Sequence, residues 1–138
     1  MKIWRFHEFG PIENLKLEDA PIPEPGPGEA LVRVRFAAIN PADRFLIARQ
    51  YPRPGTPPMA VGRDGSGTVE RAPAGGPFKS GDRVMLLRSE VGVRRDGTLA
   101  EFVTVPVESL APVPAGWSDE EAAAGGLGPL TAWQALGE

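Results

Sequence analysis

Four prolines and two glycines occupy the eight residues Pro21–Gly28, in the order Pro-Ile-Pro-Glu-Pro-Gly-Pro-Gly. Proline has no N–H to give to a sheet ladder, so this stretch predicts a stiff connector that lies outside any sheet interior. Across the whole chain, sixteen prolines and seventeen glycines fall between short apolar segments without forming a repeat. This pattern favours many short strands joined by turns over a disordered chain.

The clearest predicted strand, Glu29–Ile39, follows this connector directly. Its side chains alternate, with Val32, Val34 and Phe36 on one face and Arg33 and Arg35 on the other, as expected for a half-buried strand. Further strands are predicted at Lys2–Phe6, Leu15–Leu17, Val61–Arg71, Arg83–Leu87 and Thr98–Val105. Three glycines inside Val61–Arg71 indicate a bulge, or the close approach of another backbone or a ligand.

A short helix is predicted immediately after the 29–39 strand. Asn40 is a good N-cap, Pro41 fits the first helical position, and Asp43 can reach back to the cap from the third position. Asp or Ser at position 40 would cap such a helix equally well.

The last twenty residues change character and favour helix. Ser118 and Glu121 have the spacing of a capping box before an alanine-rich segment. After Gly125 and Gly126, a second helix is predicted to start with Pro129 as its first residue.

Composition excludes several classes of function. The formal charge is −3 and the basic residues form no stripe, so neither nucleic acid nor a membrane is expected as partner. With no cysteine and His7 as the only histidine, disulfides, thiolate catalysis and a cysteine-ligated metal are excluded, and no metal site is expected. The polar amino terminus resembles no signal peptide, which makes the cytoplasm the expected compartment.

Seven segments occur in one order along the chain: Glu29–Ile39, Asn-Pro-Ala-Asp at 40–43, Tyr-Pro at 51–52, Gly-Arg-Asp-Gly-Ser-Gly at 62–67, Gly-Asp-Arg-Val at 81–84, Gly-Thr-Leu-Ala-Glu-Phe at 97–102 and Leu-Thr-Ala at 130–132. Together they resemble the amino-terminal GroES-like domain of medium-chain dehydrogenases/reductases, in the zinc-independent, quinone oxidoreductase-like branch. The resemblance implies a mainly β, partly open barrel with short helices. Residues 1–117 would form this domain without its returning carboxyl-terminal strands, and 118–138 a helical exit toward an absent Rossmann domain.

The resemblance also bears on zinc. Zinc-dependent relatives carry Cys where Asn40 stands and His where Arg63 stands. Arginine is permanently charged and offers no lone pair, so neither residue replaces those ligands. For Arg63 itself, the sequence favours an ordinary surface or ion-pairing arginine.

For the site, the resemblance implies that Tyr51 polarises a substrate carbonyl and that Asn40 contacts the nicotinamide of NADP(H). Thr131 would touch the cofactor, while Phe45 and Asp43 would join Tyr51 at the substrate pocket, with Asp43 also ordering the Asn40 turn. Simpler interpretations stay open. Helix capping explains Asn40 and Asp43, helix initiation explains Thr131, and Tyr51 could be a rim aromatic.

The function implied is reduction of quinones or activated enones by hydride transfer. A hydroxyl or amide can stabilise the resulting charge without a metal, whereas an alcohol substrate would normally need zinc. The glycine-rich stretches at 62–67, 76–82 and 126–131 do not match a phosphate-binding loop. We therefore expect catalysis only in a full-length parent enzyme, and an inactive chain in isolation. A homodimer, or self-association through the surface left uncovered, is a further expectation. The alternative is a free-standing GroES-like binding module without redox activity.

Overall fold

The computed structural model describes residues 1–87 and 90–137, which form eight strands and three α-helices. The strands are β1 Lys2–Phe6, β2 Lys16–Asp19, β3 Glu29–Ala38, β4 Met59–Ala60, β5 Asp64–Arg71, β6 Arg83–Leu86, β7 Phe102–Pro106 and β8 Leu110–Pro112. The helices are α1 Pro41–Ile47, α2 Asp119–Ala124 and α3 Leu127–Leu136, with short 3-10 turns at Ile12–Asn14 and Val107–Ser109.

The strands form two open antiparallel sheets, with strand orders β2-β1-β4 and β7-β3-β5-β6-β8. This confirms the predicted mainly β, GroES-like architecture. Strand β3 lies between β5 and β7, and it leads directly into α1. This inner strand of the larger sheet therefore fixes where α1 begins.

Two hydrophobic clusters hold these elements together. The first lies on the five-stranded sheet and contains Ala30, Val32, Val69, Val84, Leu86, Val91, Val103, Val105 and Leu110. The second lies under α1 and contains Phe6, Leu46, Ile47, Met59, Val61 and Val93. Because Leu46 and Ile47 are buried in the second cluster, apolar packing anchors α1 against the chain that follows it.

The predicted alternation along β3 is correct only in part. Val32 is fully buried and Val34 is partly buried against the first cluster, but Phe36 is 39% exposed. The pairing between β3 and β5 shifts register between Val34 and Phe36. Such an irregularity turns the following side chain away from the face that simple alternation assigns to it.

Several strands and one helix also begin at residues other than the predicted ones. Strand β5 begins at Asp64 and β7 at Phe102, because the amides of 97–99 donate to the carbonyls of 60–62 in a separate loop-to-loop contact. Strand β2 runs from Lys16 to Asp19, slightly later than predicted. Helix α3 starts at Leu127, which makes Pro129 its third residue and not its first.

The glycines of the 61–71 segment mark close backbone approach, as predicted. A Cβ on Gly67 would collide with the carbonyl oxygen of Arg33 on β3. Gly62 has a φ of 108° and faces Thr98 and Leu99 so closely that a Cβ would overlap both. Only glycine fits such a position without strain.

The two carboxyl-terminal helices differ in how they pack. The Ser118–Glu121 capping box is confirmed, with hydrogen bonds of 2.8 and 3.1 Å, and α2 packs on β3, β5 and β6. Helix α3 instead leaves Leu130, Trp133 and Leu136 exposed. None of the described helices has the length and apolar character that a bilayer crossing requires.

A half-buried ion pair fastens the 90–97 loop to the start of β3. The guanidinium of Arg95 donates to Glu29 Oε1 and, through Nη2, to Thr104 Oγ1 at 2.8 Å. Glu29 Oε2 also accepts the amide of Gly26 at 3.0 Å. The hydrogen bond from Arg95 holds the pKa of Glu29 below its ordinary value of 4.5.

We expect Glu29→Gln to lower the free energy of unfolding by about 1 kcal/mol at neutral pH, because it removes the charge that Arg95 meets. Because folding lowers the pKa of Glu29, the ion pair stabilises the folded protein at pH values above 4.5. This stabilisation is lost as the pH falls through the lowered pKa. The difference between the two proteins should therefore vanish in acid. Urea unfolding across this pH range measures it.

Asp19→Asn is the control, because the pair that Asp19 makes with Lys2 is largely exposed and should contribute little. A loss in Glu29→Gln that persists unchanged in acid would contradict the electrostatic explanation.

Candidate functional site

The site is built on the turn between β3 and α1. Asn40 occupies the N-cap of α1 with an extended backbone, and Pro41 is the first helical residue, both as predicted. Asp43 completes a capping box by accepting the amide of Asn40 at 2.8 Å. The amide of Asp43 donates to the main-chain oxygen of Asn40 at 3.0 Å, so the Asn40 side chain makes no cap hydrogen bond of good geometry.

Asp43 also ties this turn to the chain that precedes β5. Its second carboxylate oxygen accepts the amide of Gly62 at 3.2 Å, and the side chain is only 3% exposed. Burial raises the pKa of the Asp43 carboxyl, and the nearby Asp64 charge adds to this, while the Asn40 and Gly62 amides and the Arg63 charge act in the opposite direction. These contacts suit Asp43 to ordering the turn. Its place in a substrate pocket stays a prediction.

Asp64, the first residue of β5, connects Asn40 to the start of α3. Its Oδ2 accepts Asn40 Nδ2 at 3.0 Å, and the amide of Leu127 lies 3.0 and 3.2 Å from its two carboxylate oxygens. Gly126, at the N-cap of α3, has no side chain with which to cap the helix, and a Cβ there would collide with Asp64 Oδ1. Asp64 therefore caps α3 from a distant strand.

This contact also fixes how the Asn40 amide is turned. A carboxylate only accepts hydrogen bonds, so the nitrogen end of the Asn40 side chain must face Asp64. The oxygen of Asn40 then faces the Asp43 amide of the capping box, and one N–H of Asn40 is left for another partner. The Asp64 main-chain oxygen in turn accepts the hydroxyl of Thr98 at 2.7 Å, which anchors the carboxylate's own backbone.

Tyr51 meets Arg63 on the other side of the same segment. The Tyr51 ring packs against the cluster under α1, and its hydroxyl oxygen accepts a hydrogen bond from Arg63 Nη1. The guanidinium carbon also lies 5.4 Å from the centre of the Tyr51 ring. Because Arg63 and Asp64 are consecutive, the partners of Tyr51 and Asn40 are neighbours in the sequence.

Phe45 and Thr131 are more exposed than the other predicted site residues. Phe45 lies on α1 and is about half exposed, and Thr131 is exposed in the second turn of α3. The hydroxyl of Thr131 donates to the carbonyl of Leu127 at 2.7 Å. Nothing in this geometry tests a pocket role for Phe45 or a cofactor role for Thr131, and both stay predictions.

The donor set of this site does not suit zinc. Asn40 offers a weak neutral amide, and the Arg63 guanidinium has no free lone pair. Within residues 1–87 and 90–137, no group of three His, Cys, Asp or Glu is placed to hold a metal ion. What the site offers is an amide, a phenol and a fixed positive charge.

The sequence did not single out Asp64 as a site residue, and it favoured an ordinary surface or ion-pairing role for Arg63. Both directly follow Gly62, whose positive φ and tight surroundings mark a constrained turn. The signal available in the sequence was Arg63 itself, which stands where zinc-dependent relatives were expected to carry a ligand. No local pattern could show that its partner is Tyr51, twelve residues earlier.

The two open sheets and the capped turn between them define a GroES-like domain. Residues 26–115 match the model of the alcohol dehydrogenase GroES-like domain, and the chain belongs to this family.

Relatives of known name support the same assignment. The zinc-type alcohol dehydrogenase-like protein C337.11 of Schizosaccharomyces pombe is 37% identical over 124 residues, covering 89% of this chain and 37% of that protein. The mitochondrial NAD(P)H oxidoreductase RTN4IP1 of Drosophila melanogaster is 32% identical over 152 residues, covering 99% of this chain and 36% of that protein. The solved quinone oxidoreductase of Coxiella burnetii superposes with a TM-score of 0.89 at 28% identity, covering 99% of this chain and 44% of that one.

The chain thus spans less than half the length of each of these three proteins. All three carry the names of oxidoreductases or dehydrogenase-like proteins, which does not favour the alternative of a free-standing binding module.

We expect Asp64→Asn to lower the free energy of unfolding by on the order of 1–3 kcal/mol, the usual cost of a buried donor left unpaired. The main-chain amide of Leu127 contacts both carboxylate oxygens of Asp64. Whichever way the new asparagine side chain is turned, its NH2 group therefore faces the N–H of Leu127. Urea unfolding of the 138-residue chain measures the loss, and hydrogen exchange at Leu127 should accelerate.

Asp96→Asn is the matched control, because exposed Asp96 accepts one amide, from Ala60, through a single oxygen that asparagine keeps. Equal stability of Asp64→Asn and the unchanged protein would contradict the bridging role of Asp64.

Proposed function

We propose that this chain is the substrate-binding part of a zinc-independent, NADP(H)-dependent oxidoreductase that reduces quinones or activated enones by hydride transfer. The observation that carries the proposal is the Tyr51 hydroxyl, whose oxygen accepts a hydrogen bond from Arg63, the residue directly before the Asp64 partner of Asn40. The quinone oxidoreductase and NAD(P)H oxidoreductase among its relatives support the same reaction class.

Tyr51 acts on the substrate's carbonyl oxygen in this proposal. Hydride addition to a quinone or enone places negative charge on that conjugated oxygen. A hydroxyl that is fixed in place stabilises the developing charge without having to reorganise. Tyr51 meets this requirement because its ring is packed at one end and its oxygen is hydrogen-bonded at the other.

Asn40 fits the carboxamide of a nicotinamide ring. Asp64 orients the Asn40 amide and leaves one N–H of that amide to donate to the oxygen of the carboxamide. The cofactor, when bound, supplies the hydride, and the protein supplies its orientation. Thr131 remains a candidate second contact to the cofactor.

Alcohol oxidation is the less suitable reaction for this site, because Asn40 and Arg63 do not suit zinc. Deprotonating an unactivated alcohol normally draws on a metal or a strong base, and Asn40 and Arg63 do not fit the metal. Reduction of a conjugated carbonyl needs only hydrogen-bond donors at the oxygen. Quinones and enones are therefore the substrate class that these side chains suit.

The proposal assigns nucleotide binding to a second domain. Helix α3 exposes 76% of Trp133 and 85% of Leu136, apolar surface of the kind that a further domain covers. The chain alone would then be inactive, with these side chains available for self-association. A complete enzyme of this kind needs no nucleic acid or membrane partner and would work in the cytoplasm.

In the complete enzyme, Tyr51→Phe should lower kcat for quinone reduction by on the order of a hundredfold or more, because it removes one donor to the developing oxyanion. The melting temperature and the Kd for NADPH should barely change, since the ring and its packing stay. Consumption of the reduced cofactor, followed by its absorbance, measures the rate.

Asn40→Ser serves as the comparison, since loss of the amide should weaken NADPH binding, which Tyr51→Phe leaves alone. Full activity in Tyr51→Phe would remove Tyr51 from the chemistry and leave this turn as scaffold.

A further inference from the structure

Arg63 is a charged group that contacts the candidate polarising residue, Tyr51. Its guanidinium donates to the Tyr51 hydroxyl oxygen and lies over the Tyr51 ring, and the residue is half-buried. The residue before Arg63 is fixed by two hydrogen bonds. The Gly62 amide donates to Asp43, and the Gly62 carbonyl accepts the amide of Thr98 at 2.9 Å.

We propose that Arg63 is a positioning residue for Tyr51, which aims the phenolic proton at the substrate and strengthens it as a donor. This role rests on the proposed reduction of quinones or enones.

The direction of the hydrogen bond follows from the chemistry of the two groups. Arginine has five N–H donors and no acceptor, so Tyr51 can only accept from it. The phenolic proton must therefore point elsewhere. Within residues 1–87 and 90–137, the Tyr51 hydroxyl has no other hydrogen-bond partner, which leaves that proton for a bound molecule.

The charge on Arg63 adds a second effect. Donation by a cation to the phenol oxygen draws electron density from the O–H bond, and linked hydrogen bonds of this kind strengthen one another. A phenol held in this way stabilises an oxyanion better than a phenol alone. Arg63 thus supplies positive charge to the reacting oxygen indirectly, through Tyr51.

The chain has one tyrosine, so tyrosine labelled with carbon-13 at Cζ gives a single NMR resonance that reports on this hydrogen bond. We expect Arg63→Met to shift that resonance and Arg63→Lys to shift it less. Arg49→Met is the matched control, because Arg49 lies over the ring of Phe9, with its guanidinium carbon 5.3 Å from the ring centre. An unchanged resonance in Arg63→Met would overturn the proposal.

In the complete enzyme, Arg63→Met should lower kcat on the order of tenfold or more, with little change in KM for the quinone. In the Tyr51→Phe background the same change should have almost no further effect, because the group that Arg63 acts through is gone. Arg63→Lys should recover part of the rate. Equal losses in the two backgrounds would overturn the positioning role.

These results separate the two proposals. A complete enzyme that reduces no quinone or enone overturns the proposed function and, with it, the role of Arg63. An active enzyme that is indifferent to Arg63→Met overturns the role of Arg63 alone. Should Arg63→Met fail to fold, Arg63→Lys in both Tyr51 backgrounds carries the same comparison.

Discussion

The Asp64 carboxylate is the interaction on which the site's geometry depends. It is only 4% exposed and joins three parts of the chain that are distant in sequence: its own strand, the Asn40 turn and the first amide of α3. A buried carboxylate is stable only when its oxygens are hydrogen-bonded. The need to satisfy this charge therefore holds Asn40 in one orientation and fixes where α3 starts.

Around this carboxylate, each of the other polar groups pairs according to whether it can donate or accept a hydrogen bond. Asp43 accepts two main-chain amides and closes the turn. Arg63 can only donate, so Tyr51 accepts from it and keeps its proton free. In the proposed enzyme, the Asn40 amide and the Tyr51 phenol, each fixed by a hydrogen bond, would form a preorganised site without a metal.

Local patterns predicted the parts of this arrangement that are close in sequence. The capping boxes at 40–43 and 118–121 and the long strand from Glu29 follow from spacing alone, and the order of short motifs indicated the family. Contacts over longer range were not predictable in this way. Asn40 and Asp64 lie 24 residues apart, so Asn40→Asp looks like a harmless change of cap in the sequence, whereas in the structure it sets two carboxylates against each other. The register shift that exposes Phe36 likewise depends on β5 and leaves no mark in β3 itself.

In the proposed enzyme, a phenol held by Arg63 takes the place that a metal holds in zinc-dependent relatives. A crystal structure of the complete enzyme with its nicotinamide cofactor and a non-reacting quinone analogue tests this most directly. We expect the analogue's carbonyl oxygen at about 2.6–3.2 Å from the Tyr51 hydroxyl, within hydrogen-bond reach, and no metal between Asn40 and Arg63. A metal ion at that position, or a carbonyl held by other groups, would contradict it.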